Sequence, residues 1–115
     1  MITQSEFRLQ HLRRGGHLIT GEILRHLPAP LPESGLLNIF VKHTSCGLTI
    51  NENADPDVRH DLDKILDHIV PENQPYYYHT MEGLDDMPAH AKATLTDVSL
   101  TIPAVSYSPL RAHEP

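Results

Sequence analysis

Apolar positions along the chain change period several times, and each change marks a boundary between elements. Phe7, Leu9 and His11 alternate with Arg8, Gln10 and Leu12, a period of two that predicts a half-buried strand over residues 6–12. Gly15 and Gly16 interrupt it. Ile19, Ile23, Leu24 and Leu27 then fall on one face of a helix over residues 17–27, which Pro28 stops. Residues 29–35, with Pro30, Pro32 and Gly35, read as a loop. Residues 36–42 suit a buried strand, and residues 48–50 a second, shorter one after a turn at Gly47. The clearest helix spans residues 55–70. Asp55 is a good N-cap, Pro56 falls where its missing N–H costs nothing, and Val58, Leu62, Ile65, Leu66 and Ile69 form one stripe. Pro71 ends that helix. Residues 72–88 show little periodicity and read as a long loop, the kind of segment that often carries function. A short helix-prone stretch follows at residues 89–93. Val98, Leu100 and Ile102 then alternate against Ser99 and Thr101 in a strand over residues 95–102, closed by Pro103. Helices and strands mix without regular βαβ alternation. The expected fold is therefore α+β: one compact domain over residues 1–115, with mixed or antiparallel sheet layers and two main helices.

Composition narrows the classes. The chain has 115 residues, which favours a single domain. It has no Trp, so the core must rest on Leu, Ile and Val. A formal net charge of −6 argues against binding nucleic acid or an anionic membrane across the whole surface, while leaving room for a local basic pocket. No apolar run is long enough to span a bilayer, and residues 1–7 lack the basic start and apolar core of a signal peptide. A cytoplasmic protein is expected. The single Cys46 fits that compartment and rules out an internal disulfide.

Candidate chemistry concentrates in two places. Residues 43–47 offer an imidazole, two hydroxyls and a thiol at a strand end. Neighbouring side chains on an extended chain diverge, which leaves His43 poorly placed to activate Thr44, and the alternative is a turn whose hydroxyls bond local backbone. Cys46 reads as a small buried residue rather than a nucleophile. The following acidic stretch contains Asn51, Glu52, Asp55 and Asp57, hard oxygen donors suited to Mg²⁺ or Ca²⁺. Asp55 is accounted for by capping. Glu52 is not, and stands as a general base or metal ligand. The second place holds His79, Asp85, Asp86, His90 and Lys92. His43, His79 and His90 together suit Zn²⁺ or a similar ion, with Asp86 or Asp85 orienting a ring; structural histidines are the competing reading. Lys42, Arg59 and Lys92 are candidates for a phosphate site, with solvated surface charge as the alternative for each.

These segments together resemble a known family. His43-Thr44-Ser45-x-x-Leu48-x-Ile50-Asn51-Glu52-x-x-Asp55-Pro56-x-Val58, then Tyr78-His79-Thr80 and Asp85-Asp86-Met87-Pro88-Ala89-His90-x-Lys92, are similar to the YjbQ family, often named secondary thiamine-phosphate synthase. The similarity covers about residues 7–103. It implies a compact α+β fold and a homotrimer. It also implies a transferase side activity that joins a pyrimidine diphosphate to thiazole phosphate and releases pyrophosphate. By motif, the pocket comprises His43, Thr44, Ser45, Asn51, Glu52, His79, Asp86, His90 and Lys92. The resulting expectation gives His43, Glu52 and His90 catalytic roles. Thr44, Ser45, Asn51, Arg59 and Lys92 hold a small phosphorylated substrate. His43, His79, Asp86 and His90 hold a divalent metal, Mg²⁺ or Zn²⁺. A metal-dependent hydrolase and a non-catalytic ligand-binding trimer are the alternatives. Family members continue past the last strand with a further strand pair carrying a Gly-Thr-Trp-Gln-like segment. Residues 104–115 depart from that pattern, which reads as a truncated or frame-shifted end.

Overall fold

The computed structural model describes residues 2–28 and 31–104. Among them the element order is α1 (Thr20–Arg25), β1 (Leu36–Phe40), α2 (Pro56–Ile69), α3 (Asp86–Leu95) and β2 (Ser99–Pro103). The fold is α+β. β1 and β2 pair antiparallel, with Leu37 opposite Ile102 and Ile39 opposite Leu100. These four residues share the half-buried face, while Leu36, Asn38 and Phe40 point outward. Asn38 Nδ2 ties the outward face across the strands, donating to Ser99 Oγ at 3.0 Å and Thr101 Oγ1 at 3.1 Å.

The pairing continues past the strands and then jumps. Val41 N donates to Val98 O at 2.9 Å. The next residue on that side, Asp97, pairs not with Lys42 but with Leu48, through bonds of 2.7 and 2.9 Å. Residues 42–47 are thus thrown out as a loop pinched at its base by two consecutive residues. Gly47 lies in the pinch, where an added Cβ would sit 2.0 Å from Thr96 Oγ1, so no side chain fits there without displacement.

α2 forms where local chemistry specifies it. Asp55 is its N-cap, with Oδ1 accepting from Asp57 N at 2.9 Å, and Pro56 opens the first turn. The N-terminal segment lies against this helix: Gly16 N donates to Asp63 Oδ1 at 2.8 Å, and Arg14 pairs with Asp67 at 2.8 Å and also with Glu72. Apolar burial is thin. The buried hydrophobic residues among those described are Leu48, Val70 and Ala104, and the fully buried Pro88 anchors the first turn of α3.

Several expectations change. Residues 6–12 form no strand, because among the described residues the alternating pattern has no neighbouring strand to pair with. The first helix is confined to Thr20–Arg25. Residues 48–50 reduce to the single bridge at Leu48. α3 begins at Asp86 and runs through Leu95, longer than the short stretch expected, because Pro88 is accepted in a first turn whose N–H groups need no helical partner. The last strand correspondingly starts at Ser99. The α2 stripe is only partly covered, with Ile65 51% and Ile69 60% exposed. Cys46 is exposed rather than buried, because it rides on the thrown-out loop. The tail expectation for residues 105–115 lies outside the described residues.

Asp55→Ala is expected to lower stability by about 1 kcal/mol in urea unfolding, with Asp55→Asn retaining most of it. Equal losses in both variants would show that the cap is not the source.

Candidate metal centre

His79 comes from the segment after α2. That segment turns at Asn73, with φ of 55°, and is fastened by Tyr77, whose hydroxyl donates to Pro71 O at 2.6 Å. Asp86 and His90 stand four residues apart on α3, hence on one face. Both imidazoles converge on one carboxylate oxygen. Asp86 Oδ2 lies 2.6 Å from His79 Nε2 and 3.1 Å from His90 Nε2. The rings meet edge-on, with centroids 5.3 Å apart. One ligand atom from each of His79, Asp86 and His90 falls within 4.8 Å of the others. Glu82 Oε2 stands 3.4 Å from His79 Nε2 on the more exposed side.

The second nitrogen of His90 decides what this cluster needs. His90 Nδ1 lies 2.9 Å from Thr44 O, and a carbonyl only accepts, so Nδ1 carries the proton. A neutral ring would then turn a lone pair on Nε2 toward the Asp86 carboxylate. That contact needs a proton between the two atoms or a cation beside them. A backbone carbonyl behind a histidine is also what orients ring ligands in metal sites. Two imidazole nitrogens and one carboxylate suit Zn²⁺ and related transition ions better than Mg²⁺, which prefers oxygen. Three donors leave coordination positions open.

The other candidate side chains do not enter this cluster. His43 Nδ1 accepts from Ser45 N at 3.0 Å and lies 3.1 Å from Ser45 Oγ, so its ring is turned to its own loop. Thr44 reaches the cluster through its backbone. Asn51 Oδ1 accepts from Glu52 N at 2.7 Å, and both residues are exposed. Arg59 donates to Asn53 Oδ1 at 2.8 Å. Lys92 pairs with Asp67 at 2.5 Å instead of standing free. Two neighbours were not anticipated. Glu82 stands three residues beyond His79, a spacing readable only if that stretch turns, and Asp67 looks like the polar side of α2.

A family model described as UPF0047 protein YjbQ-like matches residues 5–110. The chain belongs to this family. It is 45% identical over 104 residues to the UPF0047 protein YjbQ of Escherichia coli, covering 90% of this chain and 75% of that protein. Identity to the Salmonella typhimurium YjbQ is 46% over the same length, with the same coverage. The crystal structure of a conserved hypothetical protein from Thermus thermophilus matches with a TM-score of 0.64 at 39% identity, over 76% of this chain and 64% of that one. That of a hypothetical protein from Aeropyrum pernix matches with a TM-score of 0.64 at 26% identity, over 76% and 63%. The chain thus spans three quarters of the two enterobacterial relatives and under two thirds of these solved structures. Among its described residues, no helix is long and apolar enough to cross a membrane.

In this YjbQ-family chain the shared carboxylate biases both partners. The hydrogen bond to Asp86 raises the His79 pKa against the opposing effect of burial, with Glu82 adding to the rise. The same bond lowers the Asp86 pKa, and the charge of His90 assists. A raised histidine stabilises the fold fully below its ordinary value, about 6.5, and loses this as pH climbs through the raised value. A lowered carboxylate stabilises above its ordinary value, about 4, and loses this as pH drops through the lowered one. The pair therefore contributes most between those two ordinary values. In metal-free protein, Asp86→Asn is expected to return His79 toward its ordinary pKa and to remove the extra stability inside that window, so that the losses above and below it shrink. NMR titration of the His79 ring, beside unfolding at stepped pH, checks both. A His79 titration indifferent to the substitution would remove Asp86 as the cause.

Proposed function

We propose that this chain is a metal-dependent hydrolase acting on a small phosphorylated molecule, with His79, Asp86 and His90 holding a Zn²⁺-like ion. The observation that carries the reading is the convergence of two imidazoles on one carboxylate oxygen, with Thr44 O fixing the outer nitrogen of His90. When bound, such an ion supplies Lewis acidity toward a substrate oxygen. The chain's own residues do the rest. Asp86 aims both rings at one point, and the Thr44 carbonyl keeps the inner His90 nitrogen available. Glu82, on the exposed side of His79, is the carboxylate placed to take a proton from an attacking water. Arg59 meets a neutral amide and keeps its charge for a phosphate.

The transferase reading, joining a pyrimidine diphosphate to thiazole phosphate, stands second. It needs several cations for two phosphorylated substrates, and Lys92 is already matched by Asp67. Arg59 is the observation in its favour. A homotrimer belongs to the same proposal, and the outward Leu36 and Phe40, 75% and 61% exposed, support a partner surface on β1.

Purified protein stripped by chelator and dialysed against Zn²⁺ is expected to take up one ion per chain by elemental analysis. Asp86→Asn and His90→Ala are expected to weaken uptake at least about tenfold. On a panel of phosphoesters with metal restored, Glu82→Gln is expected to lower turnover by about 10²-fold or more at unchanged metal content. Wild-type protein that retains no ion above background would overturn the proposal.

A further inference from the structure

We propose that Asp67 of α2 is a positioning residue, gripping Lys92 so that the opposite face of α3 presents His90 and Asp86 to the Thr44 carbonyl and His79. The inference rests on the reading of those side chains as an ion site, and extends it to a residue outside that site.

The geometry follows from helical spacing. His90 and Lys92 are two residues apart, so their side chains leave α3 about 200° from each other. On one side His90 meets Thr44 O at 2.9 Å and Asp86 at 3.1 Å. On the other, Lys92 Nζ lies 2.5 Å from Asp67 Oδ1, with the lysine side chain only 20% exposed. Among the described residues, Met87 is the one long, unbranched apolar side chain that α3 half-buries, and it lies in the first turn. The helix start is pinned by the buried Pro88. Beyond that its half-buried positions include Ala89, Ala91 and Ala93, side chains too short to key a helix rotationally, and Leu95 is 57% exposed. A rotation of α3 would move His90 off the carbonyl and carry Asp86 from the midpoint between the rings.

Asp67 is itself held. Arg14 Nη2 donates to the same Oδ1 at 2.8 Å and also pairs with Glu72, just past α2. The two cations lower the Asp67 pKa, Lys92 first and Arg14 second. Asp63, one turn earlier, makes a separate tie to Gly16 N and does not touch Lys92 in this network. It serves as an internal control for merely loosening the N-terminal segment.

The test compares full-length wild type with Asp67→Asn, Lys92→Gln, Asp67→Glu and Asp63→Asn. The first readout is Zn²⁺ affinity by competition with a chromogenic chelator. Asp67→Asn and Lys92→Gln are each expected to weaken binding about 10- to 100-fold. Combined they should cost no more than either alone, because both cut one contact. Asp67→Glu should restore most of the loss, and Asp63→Asn should stay within about twofold of wild type. The second readout needs no metal: the imidazole nitrogen spectrum of the apo protein, in which the His90 Nδ1 proton bonded to Thr44 should be seen in wild type and Asp63→Asn and be lost in Asp67→Asn. Wild type that binds no Zn²⁺ would end the ion-site reading, yet the Nδ1 signal would still decide the clamp. If Asp67→Asn does not fold, Lys92→Gln carries the comparison. A His90 Nδ1 signal that persists with the clamp cut, or Zn²⁺ affinity within twofold of wild type, overturns the proposal.

Discussion

Two consecutive residues hold this structure in register. Val98 bonds Val41 and Asp97 bonds Leu48, so the six intervening positions of the first strand's continuation must leave the sheet together. That excursion carries Thr44 out to α3, and α3 reaches it because the helix ends at Leu95, two residues before Asp97. Without the pinch the carbonyl has no reason to lie beside His90. Gly47 is the condition for it, since the loop returns within van der Waals distance of Thr96 and tolerates no Cβ.

With few fully buried hydrophobic residues, polar ties decide how the remaining elements sit. The N-terminal segment is fastened to α2 through Asp63 and Asp67, α3 to α2 through Lys92, and the segment bearing His79 by the Tyr77 hydroxyl. Such ties are individually modest when solvent reaches them. Their effect is directional more than energetic: a hydrogen-bonded carboxylate fixes an angle that an alanine face leaves loose.

Much of this was legible in the sequence where the chemistry is local. Asp55-Pro56 announced the start of α2, since capping and a tolerated proline involve neighbours in the chain. The hydrophobic content of residues 36–40 and the alternation near residue 100 announced the two strands. His79, Asp86 and His90 could be named from residue type, but only together with His43, whose ring turns to its own loop. What sequence could not show was distant or backbone-borne. The alternation of residues 6–12 is indifferent to whether a neighbouring strand exists. The Thr44 oxygen that orders His90 belongs to the main chain, so residue identity carries no trace of it. Lys92 looks the same in a sequence whether it faces a phosphate or Asp67. Cys46 was misread because a loop ejected by a register jump exposes residues that a continuous strand would bury.

The register jump also fixes the order in which the site comes into being. His79, Asp86 and His90 occupy one short stretch, whereas the carbonyl that orders His90 precedes it by 46 positions. A chain growing from its N-terminus presents the carbonyl first and the donors later. The two are joined only when residues 97 and 98 arrive to close the long loop between them. Afterwards one ring has a single tautomer and a single direction. The single direction of that ring is therefore a property of the closed sheet and not of the histidine itself.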